Sequence, residues 1–218
     1  MKVGITAKLG LLLATVSILA AGLTGYYAYQ ASRGQLVDAA KEALLTTTKV
    51  VARRIVLNRE EASRYLLLLA SHPAAREALQ RPDAAPAQAQ LGILFEQILR
   101  HNSSYFQLRL ISADHYGLER VRVDRTESGL LAVQGDDLQE KGHFPYVSGA
   151  LRLQAGQTYL SPIVINHETG AHAGLEQPTV ILATPVVALD GKKLGVVVVN
   201  VDLNGMFAGL ASDLPKDF

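Results

Sequence analysis

The sequence predicts an α+β fold, with helices first and an antiparallel sheet after them. Within residues 31–71, apolar side chains recur at intervals of three to four, the period of a helix. From residue 106 onward the apolar period changes to alternation, which is typical of strands. The turn Asp190-Gly191-Lys192 joins two strand-like runs and predicts a hairpin. One sheet with helices on its faces accounts for all of these patterns.

The N-terminal segment predicts a single transmembrane helix. Residues 9–29 contain no charged side chain, and at about 1.5 Å per residue they span roughly 30 Å, the thickness of a bilayer's hydrocarbon core. Three tyrosines close the run, as in an interfacial aromatic belt. Because Lys2 and Lys8 precede it, the positive-inside rule places residues 1–8 in the cytoplasm and the main domain outside.

A cleaved secretory signal is the alternative interpretation, because it too begins with positive charge and an apolar run. Residues 9–29 exceed the roughly 7–15 apolar residues of a typical signal core, and no clear small-x-small cleavage site follows them. The pattern therefore favours an uncleaved anchor.

Composition narrows the class of protein further. The chain has 218 residues, enough beyond the membrane for one domain and a helical stalk. It contains no cysteine, which excludes disulfides and thiol catalysis and suits an oxidising compartment such as a bacterial periplasm. The formal net charge is only +1 and no basic block occurs, so nucleic acid is not expected as a partner.

The amphipathic pattern of residues 31–71 predicts one long stalk helix of roughly 60 Å. No proline interrupts it before Pro73, so it continues directly from the transmembrane span. We expect the membrane-distal half, residues 55–69, to pack on its own domain. The half nearer the membrane is expected to form the contact of a homodimer.

Beyond the stalk, the period changes and the proline and glycine positions predict three helices and about five strands. Nearly continuous valine in residues 195–201 predicts a strand that is buried on both faces. The predicted helices are residues 73–79, 87–100 and 144–153, and the predicted strands are residues 106–110, 119–124, 158–166, 179–189 and 193–202.

Several segments of the sheet region carry a family resemblance. They read RLISADHYGLERVRVD, LQEK, GQTYLSP, ATP and GVVVVNVD, in this order along the chain. Together they resemble the membrane-distal half of a double Cache sensor domain, a PAS-like domain found outside the membrane in bacterial histidine kinases, diguanylate cyclases and chemoreceptors. The resemblance implies that residues 72–202 form a periplasmic sensor domain anchored in the bacterial inner membrane.

In that family the chain continues into a linking helix, a membrane-proximal Cache domain, a second span and a cytoplasmic output domain. The resemblance implies that residues 203–218 begin the linking helix and that the sequence is a truncated or N-terminal part of a longer receptor. An output enzyme, such as a histidine kinase or diguanylate cyclase, would lie in the missing region. The chain itself is therefore not expected to be an enzyme or to hold a cofactor.

Family members bind small molecules between the sheet and the helix and loops over one face. By position, the resemblance implies a pocket lined by Arg122, His143, Tyr146, Tyr159, Ser161 and Asp202. A carboxylate ligand needs a cation such as Arg122, and an amine needs a carboxylate such as Asp202, because a buried ion is costly unless paired. Amino-acid-binding members share an Arg-x-Trp-Tyr-like segment, which here reads His-Phe-Pro-Tyr. The missing Arg and Trp argue against an amino-acid ligand.

Each candidate residue also has a purely structural interpretation. Arg122 can pair with Asp124 or Glu119 on a solvated sheet face. The two tyrosines can be core residues with a hydrogen-bonded hydroxyl. Asp202 can cap a helix that begins at residue 203.

Metal and hydrolytic chemistry have weaker support. His167, Glu168 and His172 are suitable metal ligands, but they lie in a Gly-rich loop and not on one helix face, so no metal site is predicted. Ser161, His167 and Asp202 contain the atoms of a hydrolytic triad, yet no nucleophile-elbow glycines surround Ser161.

Two main hypotheses of function remain. A ligand-sensing module would bind a small molecule, shift the long helix and bias the transmembrane span of a dimer. A structural anchor and dimerisation module would instead have a pocket closed by side chains.

Overall fold

The computed structural model describes residues 4–81, 83–167, 174 and 176–212. The chain divides into two compact units, Met1–Arg53 and Arg54–Phe218. Helix α1 extends over Ile5–Ser71 and ends two residues before Pro73. Proline cannot donate a backbone hydrogen bond, which explains why the helix stops here.

From Ile5 onward the first unit is part of α1, and none of its described side chains is buried. Leu11 and Ile18 are each 71% exposed. By length and composition alone, α1 contains one stretch that could cross a membrane, with a mean hydropathy of 1.8. Contiguous exposed apolar surface of this kind is unfavourable in water.

The second unit is a seven-stranded antiparallel sheet with helices on its faces. The spatial order of strands is β3-β2-β1-β7-β6-β4, and β5 also pairs with β6. The strands are β1 (Tyr105–Ser112), β2 (Glu119–Thr126), β3 (Gly129–Val133), β4 (Tyr159–Leu160), β5 (Val164–Ile165), β6 (Pro178–Val187) and β7 (Lys193–Asp202). The helices are α2 (Pro73–Gln80), α3 (Ala85–His101), α4 (Pro145–Leu151) and α5 (Leu203–Ser212), with short 3-10 turns at His115–Gly117 and Gly135–Asp137.

The α+β fold class predicted from the sequence is confirmed, with more strands than the five expected. One additional strand is β3, a short and mostly exposed edge strand whose residues do not alternate in polarity. The other arises because the single strand predicted over residues 158–166 is split into β4 and β5. Pro162 lies at the break, and its missing N–H removes a ladder donor.

One face of the sheet packs against the last turns of α1 and against α2 and α3. The core on this face includes Leu66, Leu91, Phe95, Leu108 and Val197. The opposite face packs against α4, and its apolar core includes Ile111, Tyr146, Val147, Val196 and Val198. β7 therefore has buried side chains on both faces, as the valine run predicted.

Gly195 allows β7 to approach its neighbours closely. A Cβ at this position would lie 2.2 Å from the carbonyl oxygen of Ile111 and 3.0 Å from side-chain carbons of Leu79. Only glycine fits without moving β1 or α2.

Tyr105, at the start of β1, is 3% exposed, and its ring meets that of Tyr65 edge-on with centroids 6.5 Å apart. Burial raises the pKa of the Tyr105 hydroxyl above its ordinary value, and the negative charge of Glu61 raises it further. A folded-state pKa above the unfolded value of about 10 means that the unfolded chain releases this proton first as pH rises. The contribution of protonated Tyr105 to the free energy of unfolding is therefore fully present below pH about 10 and is lost progressively as the pH rises above it.

We expect the free energy of unfolding of the wild type to fall above pH about 10. In Tyr105→Phe it should fall less steeply, and the two slopes should differ by up to about 1.4 kcal/mol per pH unit. Chemical denaturation between pH 8 and 11 measures this difference. Tyr116→Phe is the matched control, because Tyr116 is 83% exposed and the same hydroxyl is removed there outside the core. Equal slopes for the wild type and Tyr105→Phe would contradict the prediction.

Candidate functional site

A cavity of about 490 Å³ opens between the start of α4 and the segment that contains β4 and β5. It lies on the sheet face opposite α2 and α3, because Tyr146 and Ile181 contribute both to it and to the α4 core. The residues that line it are Phe144, Pro145, Tyr146, Tyr159, Ser161, Pro162, Val164, Ile165, Asn166, His167 and Ile181.

Aromatic rings form two walls of the cavity. The rings of Phe144 and Tyr146 are stacked, with centroids 5.4 Å apart and planes 21° from parallel. Pro145 occupies the first turn of α4, where its fixed φ favours helix initiation, and so places these two rings at the helix start. The Tyr159 ring lies against α4, since a Cβ on Gly149 would be 2.6 Å from its Cε2.

The polar groups of the cavity are mostly engaged with the protein itself. The Ser161 hydroxyl donates to the Pro162 carbonyl at 2.6 Å and accepts the backbone N–H of Ile181 at 2.9 Å. His167 Nδ1 lies 3.0 Å from Glu176 Oε1, and both side chains are exposed. Glu168 and His172, considered as metal ligands with His167, lie outside the described residues.

Beneath α4, the polar face of β1 and β2 is buried, contrary to the solvated face considered from the sequence. Arg122 is only 2% exposed. Its Nη2 donates to Asp124 Oδ2 at 2.7 Å, its Nε donates to Asp124 Oδ1 at 3.0 Å, and its Nη1 lies 3.5 Å from Glu119 Oε2. Burial alone would lower the pKa of Arg122, but the hydrogen bonds and charge of Asp124, with that of Glu119, raise it above the ordinary value.

Arg109 connects this ion pair to the cavity. Its guanidinium carbon lies 5.0 Å from the centroid of the Tyr146 ring, its Nη1 lies 3.6 Å from Glu119 Oε1, and its Nη2 donates to Asn200 Oδ1 at 3.0 Å. Asn200 Nδ2 donates to Gln107 Oε1 at 3.1 Å, and Gln107 Nε2 donates to Asp124 at 2.9 Å, which closes the network. We name these six residues the buried polar network: Gln107, Arg109, Glu119, Arg122, Asp124 and Asn200.

Sequence reasoning identified only Arg122 of the buried polar network as a site residue. The available signal was the alternation of oppositely charged residues in two adjacent predicted strands, which can pair across a sheet. What the pattern did not show is that α4 and the preceding loop cover this face.

The other two candidates, Asp202 and His143, do not line the cavity. Asp202 accepts the backbone N–H groups of Asn204 at 2.9 Å and Gly205 at 3.0 Å, so its carboxylate caps α5. The His143 ring lies 4.2 Å, centroid to centroid, from that of Phe144.

The structure thus brings together three of the predicted site residues, Tyr146, Tyr159 and Ser161, in the lining of one cavity. Arg122, His143 and Asp202 are not among its lining residues. Their role in ligand binding stays a prediction. Lining residues that the sequence did not indicate, such as Phe144 and Ile181, became apparent only from the packing of α4 on β6.

Three solved structures of similar fold come from bacterial proteins described as a histidine kinase, a GGDEF family protein and a chemoreceptor. The extracellular domain of vpHK1S-Z8, described as a histidine kinase, has a TM-score of 0.64 and 21% identity over 78% of this chain and 60% of that chain. A domain of a sensory box/GGDEF family protein from Vibrio parahaemolyticus has a TM-score of 0.64 and 20% identity, over 78% and 62%. The ligand-binding domain of the Campylobacter jejuni chemoreceptor Tlp3, in complex with L-valine, has a TM-score of 0.55 and 16% identity, over 78% and 62%.

The fold is that of a Cache-type sensor domain, as the resemblance of the sequence implied. The family model described as the sensor domain of bacterial histidine kinases matches residues 51–212, and the chain belongs to this family. The chain spans about 60% of the length of the first of these solved structures, whose likeness at this identity is one of fold. A search of curated protein sequences found no significant match.

The ion pair between Arg122 and Asp124 yields a stability prediction. Asp124→Asn leaves the Arg122 charge buried without its bidentate partner, so we expect the free energy of unfolding to fall by about 3–5 kcal/mol. Denaturant titration measures this loss. Glu127→Gln, at an exposed position in the turn after β2, is the control and should change stability by less than about 0.5 kcal/mol. A loss for Asp124→Asn no larger than that of the control would contradict the prediction.

The helix cap formed by Asp202 yields a second prediction about stability. Asp202→Ala removes both acceptors of the α5 N-terminus and should cost about 1 kcal/mol, whereas Asp202→Asn retains a capping oxygen and should cost only a few tenths. Denaturant titration of the two variants measures the difference. Similar losses for both would show that the charge of Asp202, not its capping geometry, matters for stability.

Proposed function

We propose that this chain is the membrane-anchored, ligand-sensing part of a bacterial receptor. A small molecule would bind in the cavity between α4 and residues 159–167, and the resulting change would pass to the membrane through α1. The observation that carries the proposal is the cavity itself: a space of about 490 Å³ with aromatic walls, in a chain that belongs to a family of sensor domains. This volume is within the usual range for small-molecule sites, roughly 300–1,000 Å³.

The open cavity favours sensing over the structural anchor hypothesis. An anchor module with no ligand would gain stability by filling this space with side chains, because empty apolar volume forfeits packing contacts. Glycine at position 149 lets the Tyr159 ring lie directly against α4, because a Cβ there would be only 2.6 Å from Tyr159 Cε2.

Membrane anchoring is proposed from the apolar part of α1. Residues 9–29 would span the inner membrane once, with residues 1–8 in the cytoplasm and the sensor domain in the periplasm. The exposed apolar side chains of this segment support the proposal, because a bilayer supplies the apolar surroundings that water does not.

Signal transmission is proposed through α1 in a homodimer. The helix that includes the apolar segment also includes Ala62, Leu66 and Leu69, which are buried in the core of the sensor domain. Leu36, at 71% exposure, and Leu44, at 69%, are apolar surfaces available to a second copy. A ligand can shift such a helix only if it binds two arrangements of the domain with different affinity. The output would belong to the complete receptor, which would be a histidine kinase, a diguanylate cyclase or a chemoreceptor.

The proposal predicts that a specific small molecule stabilises the domain. We expect the full chain in lipid nanodiscs, screened against small carboxylates, amines, amino acids and nucleobases, to show a concentration-dependent rise in melting temperature with one chemical class. Tyr159→Ala should weaken that binding by about ten-fold or more, because it removes an aromatic wall.

Tyr116→Ala is the matched control, since it removes an exposed tyrosine that does not line the cavity. A stabilising compound that binds Tyr159→Ala as tightly as the wild type would contradict this site. A folded chain that no compound stabilises would favour the anchor hypothesis.

A further inference from the structure

We infer that the ligand of this cavity is an uncharged molecule that contains a planar ring, and not a carboxylate, an amine or an amino-acid zwitterion. The inference rests on the proposed function and specifies its ligand class. It is drawn from the charges around the cavity, the partners that those charges already have, and the arrangement of the aromatic rings.

No described residue that lines the cavity is a lysine, an arginine, an aspartate or a glutamate. An ion that enters such a site gives up its water without gaining an opposite charge, and this cost opposes binding. His167 is the one imidazole in the lining, and its Nδ1 already faces Glu176.

The two arginines of the buried polar network are paired with acidic residues. Arg122 is bound by both oxygens of Asp124, and Arg109 lies between Glu119 and the Tyr146 ring. The buried polar network contains two arginines and two carboxylates, so its formal charge is zero. A ligand carboxylate that drew one of these arginines away would weaken its pairing with Asp124 or Glu119 in the buried interior, which is unfavourable.

Lys141 does not provide the missing cation in the lining. Its ammonium donates to Gln139 Oε1 at 2.7 Å and lies 5.1 Å from the centroid of the Phe144 ring. Lys141 is not among the residues that line the cavity.

An amine ligand meets the same difficulty with the opposite sign. Asp202, the carboxylate expected to bind it, directs both oxygens at the backbone of α5. An amine bound by Asp202 would have to share both carboxylate oxygens with the helix cap. Among the described residues, no aspartate or glutamate, Asp202 included, lines the cavity.

The lining instead suits a ligand with a flat apolar ring and a hydrogen-bonding group at the edge of that ring. The nearly parallel rings of Phe144 and Tyr146 form one wall, and Tyr159 and Ile181 contribute further apolar area. Offset stacking of a ligand ring on such a wall is favourable beyond its buried area. The Tyr159 hydroxyl makes no hydrogen bond to any described residue, so it can donate to, or accept from, a neutral polar group without breaking an existing bond.

Compounds matched in shape and different in charge test the inference. We would measure the melting temperature of the full chain in nanodiscs with each compound in turn. The neutral ring compounds are benzamide, nicotinamide, adenine and uracil, and the charged ring compounds are benzoate, benzylammonium and nicotinate. Propionamide is neutral without a ring, and succinate and L-valine are charged without a ring. We expect at least one neutral ring compound to bind about ten-fold or more tightly than its charged counterpart. At one hundred times its dissociation constant, it should raise the melting temperature by roughly 5–10 °C. Propionamide, which lacks the ring, should produce no shift.

Two conservative variants test whether the binding of a neutral ring compound depends on the Tyr159 hydroxyl or on the Asp202 charge. Tyr159→Phe keeps the ring and removes only the hydroxyl, so it should weaken the neutral ring compound several-fold while the domain stays folded. Asp202→Asn retains a cap and removes the charge, so it should leave the affinity unchanged.

The outcomes separate the ligand class from the proposed function. If benzoate, benzylammonium, succinate or L-valine stabilises the chain while the neutral ring compounds do not, the ligand class is wrong and sensing at this site stands. Loss of binding in Asp202→Asn, or equal shifts with propionamide and benzamide, would likewise overturn the ligand class. If no compound of either kind stabilises the folded chain, both the ligand class and the proposed sensing function are contradicted.

Discussion

The burial of β7 on both faces organises the sensor domain. This strand pairs with β1 on one side and β6 on the other, and its valines contact the helical core on one face and α4 on the other. α4 covers this face at β6 and β7, and the loop before α4 reaches β2, where the backbone N–H of Gln139 donates to Glu119 Oε2 at 3.1 Å. Polar side chains of β1 and β2 that point to that face must find partners inside the protein, since water does not reach them.

The buried polar network is the consequence of that covering, and it has an effect on recognition. Its two arginines are paired with its two carboxylates, and Asn200 and Gln107 add hydrogen bonds, so the charges are compensated within the protein. The proposed neutral ligand would bind without competing for these charges. Arg109 lies under the Tyr146 ring and so supports a wall of the cavity without entering it.

The relatives with solved structures share the fold but only 16–21% of residues, so their ligands do not transfer to this chain. Tlp3 was solved with L-valine, whose carboxylate and ammonium both need partners in a binding site. In this chain Arg122 is paired with Asp124, and Asp202 caps α5. One fold can therefore hold chemically different sites, because ligand class depends on a few side chains and not on the sheet.

The sequence by itself determined what depends on neighbours along the chain: the apolar segment before residue 30, the helix ending at Ser71, the hairpin at Asp190-Gly191-Lys192 and the buried valine strand. Periodicity and turn chemistry are local properties, so they can be read in order. Only the tertiary structure decided that Arg122 pairs with Asp124 in a dry interior, and that residues 144–146 and 159–167 enclose one cavity. These features depend on strand register and on which elements cover each face of the sheet, and both are set by contacts between residues distant in sequence.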